Sequence, residues 1–207
     1  MNKPYDGSID YHCHILPTVD HGCSNTDMCR EQLEMAKRAG VTTVISTSHF
    51  YPQNDRVEEF LEKREIGLRV AKTIAKEKGI VLVPCAETLW CPGIEKMEGL
   101  DSLIAKEEGF NHLLLEFPFV EFDTDKAMKT LKAVHEKYGC EIILAHVERY
   151  NPSQILEFDM DYITYQINAR SFHKLSRKLK VNKYLKSGKK IVCGSDIHGL
   201  DNTYKYF

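Results

Sequence analysis

Short apolar runs rich in β-branched residues alternate along the chain with longer stretches whose apolar positions return every three or four residues. The first run leads into Asp10-Tyr11-His12-Cys13-His14, which reads as the end of a strand. Asn25 or Thr26 can cap a helix whose face is Cys29, Leu33, Ala36 and Ala39, with Gly40 as its stop. Residues 41–47 form a second strand, buried on both faces, that ends at Ser48-His49. A long helix follows, with Val57, Phe60, Leu61, Arg64, Leu68, Ala71 and Ala75 at helical spacing, and Gly79 closes it. Residues 80–87 make the third strand. Past Pro92 and Gly93, a short helix runs to Lys106, and residues 112–116 are the fourth strand. A helix over 124–137 precedes a fifth strand at 141–146, and a sixth lies near 162–168. A Lys-rich helix over 174–186 leads to the seventh, 191–196.

Strand and helix thus alternate about seven times with short joints, the pattern of parallel βαβ units in a closed barrel or an open doubly wound sheet. In such folds the site lies at the carboxyl ends of the strands. Those ends carry His12 and His14, His49, Glu87, Glu116, His146, and Asp196 with His198. Each alone reads as a capping or satisfied polar residue. Six of seven strand ends with ligand-type residues read as one site. Period-2 alternation turns His12 and His14 to the same side.

Imidazole and carboxylate without a thiolate set suit Mn, Zn or Fe, and the ligands are too many for one ion. Neighbouring cations sharing a carboxylate activate water and hold both ends of a phosphoryl displacement. Arg149, three residues after His146, offers a planar fork for phosphate. A cysteine phosphatase needs Arg six residues after its nucleophile, and none of the seven cysteines has one there. No GxGxxG or GxxxxGK[ST] follows any strand.

Composition narrows the remainder. The 207 residues fit one domain spanning 1–207, and a formal charge of -2 gives no pull toward nucleic acid or anionic membrane. The odd number of scattered cysteines suits a reducing cytoplasm, and neither a signal peptide nor a membrane-spanning run is expected. Residues 174–190 hold eight Lys/Arg and no acid, which reads as a solvated helix face; a docking surface for an anionic partner tail is the alternative.

Asp10-x-His12-x-His14-Ile15-Leu16-Pro17-x-Val19-Asp20-x-Gly22, Ser46-Thr47-Ser48-His49, Glu87, Leu115-Glu116-Phe117, Ala145-His146-x-Glu148-Arg149-Tyr150, Gln166-Ile167-Asn168 and Ser195-Asp196-x-His198 run in order over nearly the whole chain. This set resembles the polymerase and histidinol phosphatase (PHP) family, and within it the bacterial capsule and exopolysaccharide tyrosine-protein phosphatases. The resemblance implies a distorted (β/α)7 TIM-like barrel holding three divalent metals, usually discussed as manganese. It implies one ion on His12, His14, Glu87 and Asp196, and a second on Glu87, Glu116 and His146. The third falls to His49, His198 and His21, or the adjacent Asp20. Arg149 matches a phosphate-binding arginine, with Asn168 a nearby donor. The implied substrate is a phosphotyrosine-bearing bacterial kinase tail. A small-molecule phosphatase of histidinol-phosphate or nucleotide type and a non-catalytic metal-bound partner are the alternatives, with a homo-oligomer left open. Relatives carry an Arg after Asp-x-His where this chain has Asp201-Asn202-Thr203, and they continue past the position of Phe207.

Overall fold

The computed structural model describes residues 5–107 and 109–207. Strand β1 (Ile9–Cys13) is followed by α1 (Thr26–Arg38), β2 (Thr43–Ser46), β3 (His49–Phe50) and α2 (Val57–Lys78). Next come β4 (Val81–Pro84), β5 (Glu87–Leu89), β6 (Ala105–Glu107), β7 (Phe110–Glu116), α3 (Thr124–Tyr138) and β8 (Glu141–Leu144). The short α4 (Pro152–Ile155), β9 (Ile163–Asn168), α5 (Lys178–Leu185) and β10 (Ile191–Gly194) complete the order. All pairings are parallel except β6 on β7.

The local chemistry of the helices follows their sequence. Asn25 caps α1 by accepting from the Met28 amide at 2.9 Å, and Cys29, Leu33 and Ala36 are its buried face. Strands are buried on both sides, as their apolar runs require. Val44 and Leu82 pack with α1 and α2 side chains, while their neighbours Ile45 and Val83 join Cys85, Leu114, Ile143 and Val192 in a separate inner cluster. Leu113, Leu115, Ile142 and Leu144 face outward against Leu131 and Val134 of α3. Glu87 and Glu116 share strand parity with inner residues Cys85 and Leu114, so alternation sends their carboxylates inward.

Three expectations need correction. The second and third strands are each broken: β2–β3 at residues 47–48, β4–β5 at 85–86. Pro84 brings no N–H to a ladder, and Thr47 turns its hydroxyl to β1, where it accepts from the Cys13 amide at 3.0 Å. Consequently β1-β2-β4 and β10-β9-β8-β7-β5-β3 are two sheets, and no closed seven-strand ladder forms among the described residues. The short helix expected before Lys106 is instead two 3₁₀ turns, Ile94–Lys96 and Leu100–Leu103, then β6 in a hairpin with β7. Ala105 is drawn into the inner cluster, and that burial overrides helical spacing. The Lys-rich helix is shorter than expected, because Leu175–Arg177 is a 3₁₀ turn preceding α5.

Between the two sheets, β10 meets β1 without forming a ladder. The Asp196 amide donates to the His12 carbonyl at 2.7 Å. Asp10, fully buried, accepts from the Ser195 amide at 2.8 Å and from the Tyr204 hydroxyl at 2.7 Å. First strand, last strand and C-terminal turn are thereby held together under His12.

Candidate metal centre

His12 and His14 project from β1 and the residue after it into a fully buried space. Gln166 accepts from the His146 amide at 2.6 Å, and a backbone N–H can only donate, so the accepting atom is the side-chain carbonyl. That same oxygen lies 3.0 Å from His12 Nδ1, which must therefore carry the proton. His14 Nδ1 lies 2.8 Å from Asp20 Oδ2 and donates to it. Both rings consequently aim Nε2 at the centre, and the two Nε2 atoms face each other at 3.1 Å. Two glycines permit this. A Cβ at Gly194 would stand 2.5 Å from His12 Cβ, and one at Gly22 would stand 2.1 Å from His14 Cβ. Gln32 of α1 fixes the flanking loops by donating to the Gly22 carbonyl at 3.1 Å and the Gly199 carbonyl at 2.8 Å.

Glu87, at the start of β5, occupies the middle. Its Oε2 is 3.2 Å from His12 Nε2, 3.4 Å from His14 Nε2 and 2.9 Å from His49 Nδ1. Its Oε1 lies 3.0 Å from His146 Nε2, which also stands 3.1 Å from Glu116 Oε1. His49 Nε2 and His198 Nε2 face one another at 3.3 Å. Despite this crowding, Glu87 Oε2, His49 Nδ1 and His146 Nδ1 are buried with no hydrogen-bond partner. Ligand atoms converge within 4.8 Å in three overlapping groups: His14, His49 and His198; His12, His14 and Glu87; His49, Glu87 and Glu116. Facing imidazole nitrogens and an unsatisfied buried carboxylate oxygen fit divalent cations and fit no apolar filler.

The electrostatics follow from this packing. Burial alone would drive the His14 pKa down, but its bonds to Asp20 and Glu87 override burial and raise it to about 10. His146 behaves alike: burial lowers it, and Glu116 with Glu87 lifts it to about 9. Burial opposes ionisation of Glu87, yet the charge on His12 and the close approach of His12, His14 and His146 hold it well below the usual carboxylate range. For His198 the balance reverses: burial and the neighbouring His14 charge outweigh Asp196, 3.6 Å away, and push it to about 4. A cation would bind the deprotonated imidazoles, so occupancy would displace these protons.

Asp196 and His146 both have left-handed backbone, with φ of 51° and 32°, at the ends of β10 and β8. Asp and His tolerate this conformation better than most residues, and strain of this kind gathers at functional sites. Asp196 Oδ2 is held by Arg149 and by the Asn168 amide, the latter at 2.7 Å, leaving Oδ1 3.6 Å from His12 Nε2. Asn168 is 2 % exposed and accepts from Gln166 at 2.9 Å, so His12, Gln166, Asn168 and Asp196 form one chain of bonds. The turn that presents Arg149 is anchored beneath. Buried Glu148 accepts from Ser171 at 2.8 Å and from Arg177 at 3.2 Å, and the Tyr184 hydroxyl donates to the Val147 carbonyl at 2.9 Å.

His49, Glu87, Glu116, His146, Arg149, Asp196, His198 and His21 all line one open cavity of about 620 Å³. His21 sits at its rim, stacked on His49 at 4.9 Å and on His198 at 4.7 Å, and belongs to none of the converging groups. Asp20 lies behind, bonded to His14 and to the His49 amide at 2.9 Å. Sequence reasoning gave no orienting role to Gln166, although it stands in the Gln166-Ile167-Asn168 motif, and none to Gln32, for which the sequence carries no signal. It also gave Phe119 no role, although the ring stands at the cavity mouth. Thr203 is buried and bonded to Asp201, away from the cavity lining.

Fold and site together define an α/β protein of mostly parallel sheets with His and Glu groups able to hold metal ions at its strand ends. The chain belongs to the CpsB/CapC family of capsular polysaccharide synthesis, whose model matches residues 8–203. It is 29 % identical to the tyrosine-protein phosphatase CpsB of Streptococcus pneumoniae, over 96 % of this chain and 86 % of that protein. The tyrosine-protein phosphatase YwqE of Bacillus subtilis (strain 168) is 31 % identical across 54 % of this chain and 43 % of its own length. A crystal structure from work on YwqE and CpsB, described as unique metal-dependent tyrosine phosphatases, superposes with a TM-score of 0.74 at 23 % identity. That superposition covers 94 % of this chain and 81 % of the other. This chain is thus homologous to metal-dependent tyrosine phosphatases of capsule synthesis.

Proposed function

We propose that the protein is a metal-dependent phosphomonoesterase of the PHP type that removes phosphate from tyrosine in a bacterial kinase tail. The two sheets are read as one wrapped (β/α)7 barrel, a reading supported by the bonds from β10 to β1. The observation that carries the function is the pair of facing imidazole contacts, 3.1 Å between His12 and His14 and 3.3 Å between His49 and His198, around a buried Glu87 whose Oε2 has no hydrogen bond. His12, His14, Glu87 and Asp196 would hold one cation, Glu87, Glu116 and His146 a second, and His49 with His198 a third, joined by His14 or His21. Manganese is the first candidate, with zinc or iron next.

Bound there, divalent cations would supply charge for the phosphoryl group and a nucleophile at neutral pH. The chain's own residues do the rest. Asp20 and Gln166 keep the protons of His14 and His12 on Nδ1. Asn168 orients Asp196 rather than reaching substrate. Arg149, whose Nη2 rests on Asp196, offers its remaining N–H donors to the phosphoryl oxygens.

Elemental analysis beside turnover of a phosphotyrosine peptide and histidinol phosphate tests this reading. Activity is expected to vanish in EDTA, return with manganese and survive iodoacetamide, since six of the seven thiols are buried. Arg149→Ala is expected to lower kcat/KM by about 10²–10³ with metal content intact, and Arg149→Lys to restore only part. Activity that persists in EDTA and falls on alkylation of a single thiol overturns the mechanism.

A further inference from the structure

The mouth of the cavity carries an apolar side chain that folding does not require. Phe119 is 62 % exposed, in the loop between β7 and α3. Phe119 stacks at 5.3 Å and 11° on Tyr150 and at 5.9 Å and 24° on His146. One side of the ring is therefore supported by the site itself. The Arg149 guanidinium lies 6.0 Å from its centroid. Across the same cavity, Tyr51 stacks on His49 at 5.4 Å and 17°, and Leu89, Phe117 and Pro118 complete an apolar rim around the ionic floor.

We infer that Phe119 is a specificity-determining residue that receives the phenyl ring of an aryl phosphomonoester and so favours it over an alkyl phosphate. This inference rests on the phosphatase reading above. Its geometry is set by Arg149, which would bind the phosphoryl group while standing over the Phe119 ring. In an aryl phosphate a single ester oxygen separates phosphorus from the ring. A phosphoryl group on Arg149 thus brings that ring to Phe119, within the roughly 4.5–7 Å at which aromatic pairs stack or meet edge to face. A phosphoserine or phosphothreonine side chain places a single sp³ carbon and then peptide backbone at the same point. It covers no aromatic face and brings polar groups against an apolar rim. The remaining face of Phe119, held by Tyr150 beneath, is preorganised for a planar partner, so little side-chain freedom is lost on binding.

The test compares kcat/KM for one peptide carrying phosphotyrosine or phosphoserine, using the full chain loaded with manganese. The ratio of the two values is expected to fall about tenfold in Phe119→Ala. Phe119→Leu, which keeps bulk without a π face, falls with it, whereas Phe119→Tyr stays within about twofold of the unaltered protein. Calorimetric binding of phenylmethylphosphonate against methylphosphonate reads the same preference without turnover. An unchanged ratio in Phe119→Ala, or a ratio fully kept by Phe119→Leu, overturns the inference while leaving the phosphatase intact. If the unaltered protein hydrolyses neither ester, the phosphatase reading falls, and the phosphonate pair alone decides the role of Phe119.

Discussion

Strand β7 carries a buried polar residue near each end, and the two ends of the molecule treat such residues in opposite ways. Near its start His112 is 4 % exposed, at a cavity of about 510 Å³ that also touches Tyr11, Phe110, Thr164 and Lys190. Burial, with Lys190 nearby, pushes this imidazole down to about 4, and its Nε2 has no partner. At the other end Glu116 meets His146, which is 1 % exposed and raised to about 9. Both histidines are buried to the same degree. What separates them is the company of carboxylates: His146 has Glu87 and Glu116 within 3.1 Å, while His112 packs against Tyr11 and Phe110. Burial alone yields a neutral core histidine, and only converging opposite charges make a site that a cation can take over.

The comparison breaks most sharply at Glu87. Replacing it by Gln removes the carboxylate that four imidazoles share, so metal content and kcat/KM are expected to fall together, the latter by about 10³ or more. In the metal-free variant the His146 titration, followed by NMR, should drop from about 9 towards the His112 value. Full metal occupancy with a normal rate would show that Glu87 is no bridge.

A smaller effect is expected from Gly194→Ala and Gly22→Ala. Each added methyl meets a motif histidine at its Cβ, and neither histidine can retreat from the centre without moving its strand. Metal affinity, read by competition with a chelating dye, should weaken about 10–100-fold, at a stability cost of roughly 1–3 kcal/mol. An alanine variant with unaltered affinity would mean that His12 and His14 are free to shift.

The smallest effect on turnover concerns pH, and here the two ends carry opposite signs. His14 and His146 titrate in the metal-free fold at about 10 and 9, above the ordinary histidine value. Their ion pairs therefore stabilise that fold below about pH 6.5 and are lost as pH climbs through 9 to 10. His112 has a depressed value of about 4. The neutral form is the one the fold accepts, so stability falls as pH drops from about 6.5 to 4, by on the order of 3 kcal/mol. His112→Leu should leave turnover unchanged and flatten this acid limb in denaturant melts of the EDTA-treated protein. An acid limb as steep as before would place the titrating group elsewhere.

Much of this was open to reading from residue order. Helix α1 with its Asn25 cap, the doubly buried strands and the ligand residues at strand ends follow from local periodicity, which a linear chain displays directly. Glu87 and Glu116 point inward because alternation leaves them no other side. His112 also lies on β7, and its place near the opposite end of the strand kept it out of the cluster.

What only the tertiary structure decided involves residues far apart along the chain. Counting along the motif falls on His21 with Asp20 as its neighbouring alternative; folding puts Asp20 behind His14 and leaves His21 stacked at the rim. Asn168 could face the open cavity or a neighbouring side chain, and the proximity of Asp196 turns it to that carboxylate. Gln166 reaches His12 across 154 positions, and Tyr204 reaches Asp10 across 194. The hairpin of β6 on β7 displaced an expected helix because Ala105 had a buried place to fill. Periodicity records which side of an element a residue faces, since that is set by backbone geometry over a few bonds. Which residue stands opposite is set by closure of the whole chain, and it leaves no periodic trace.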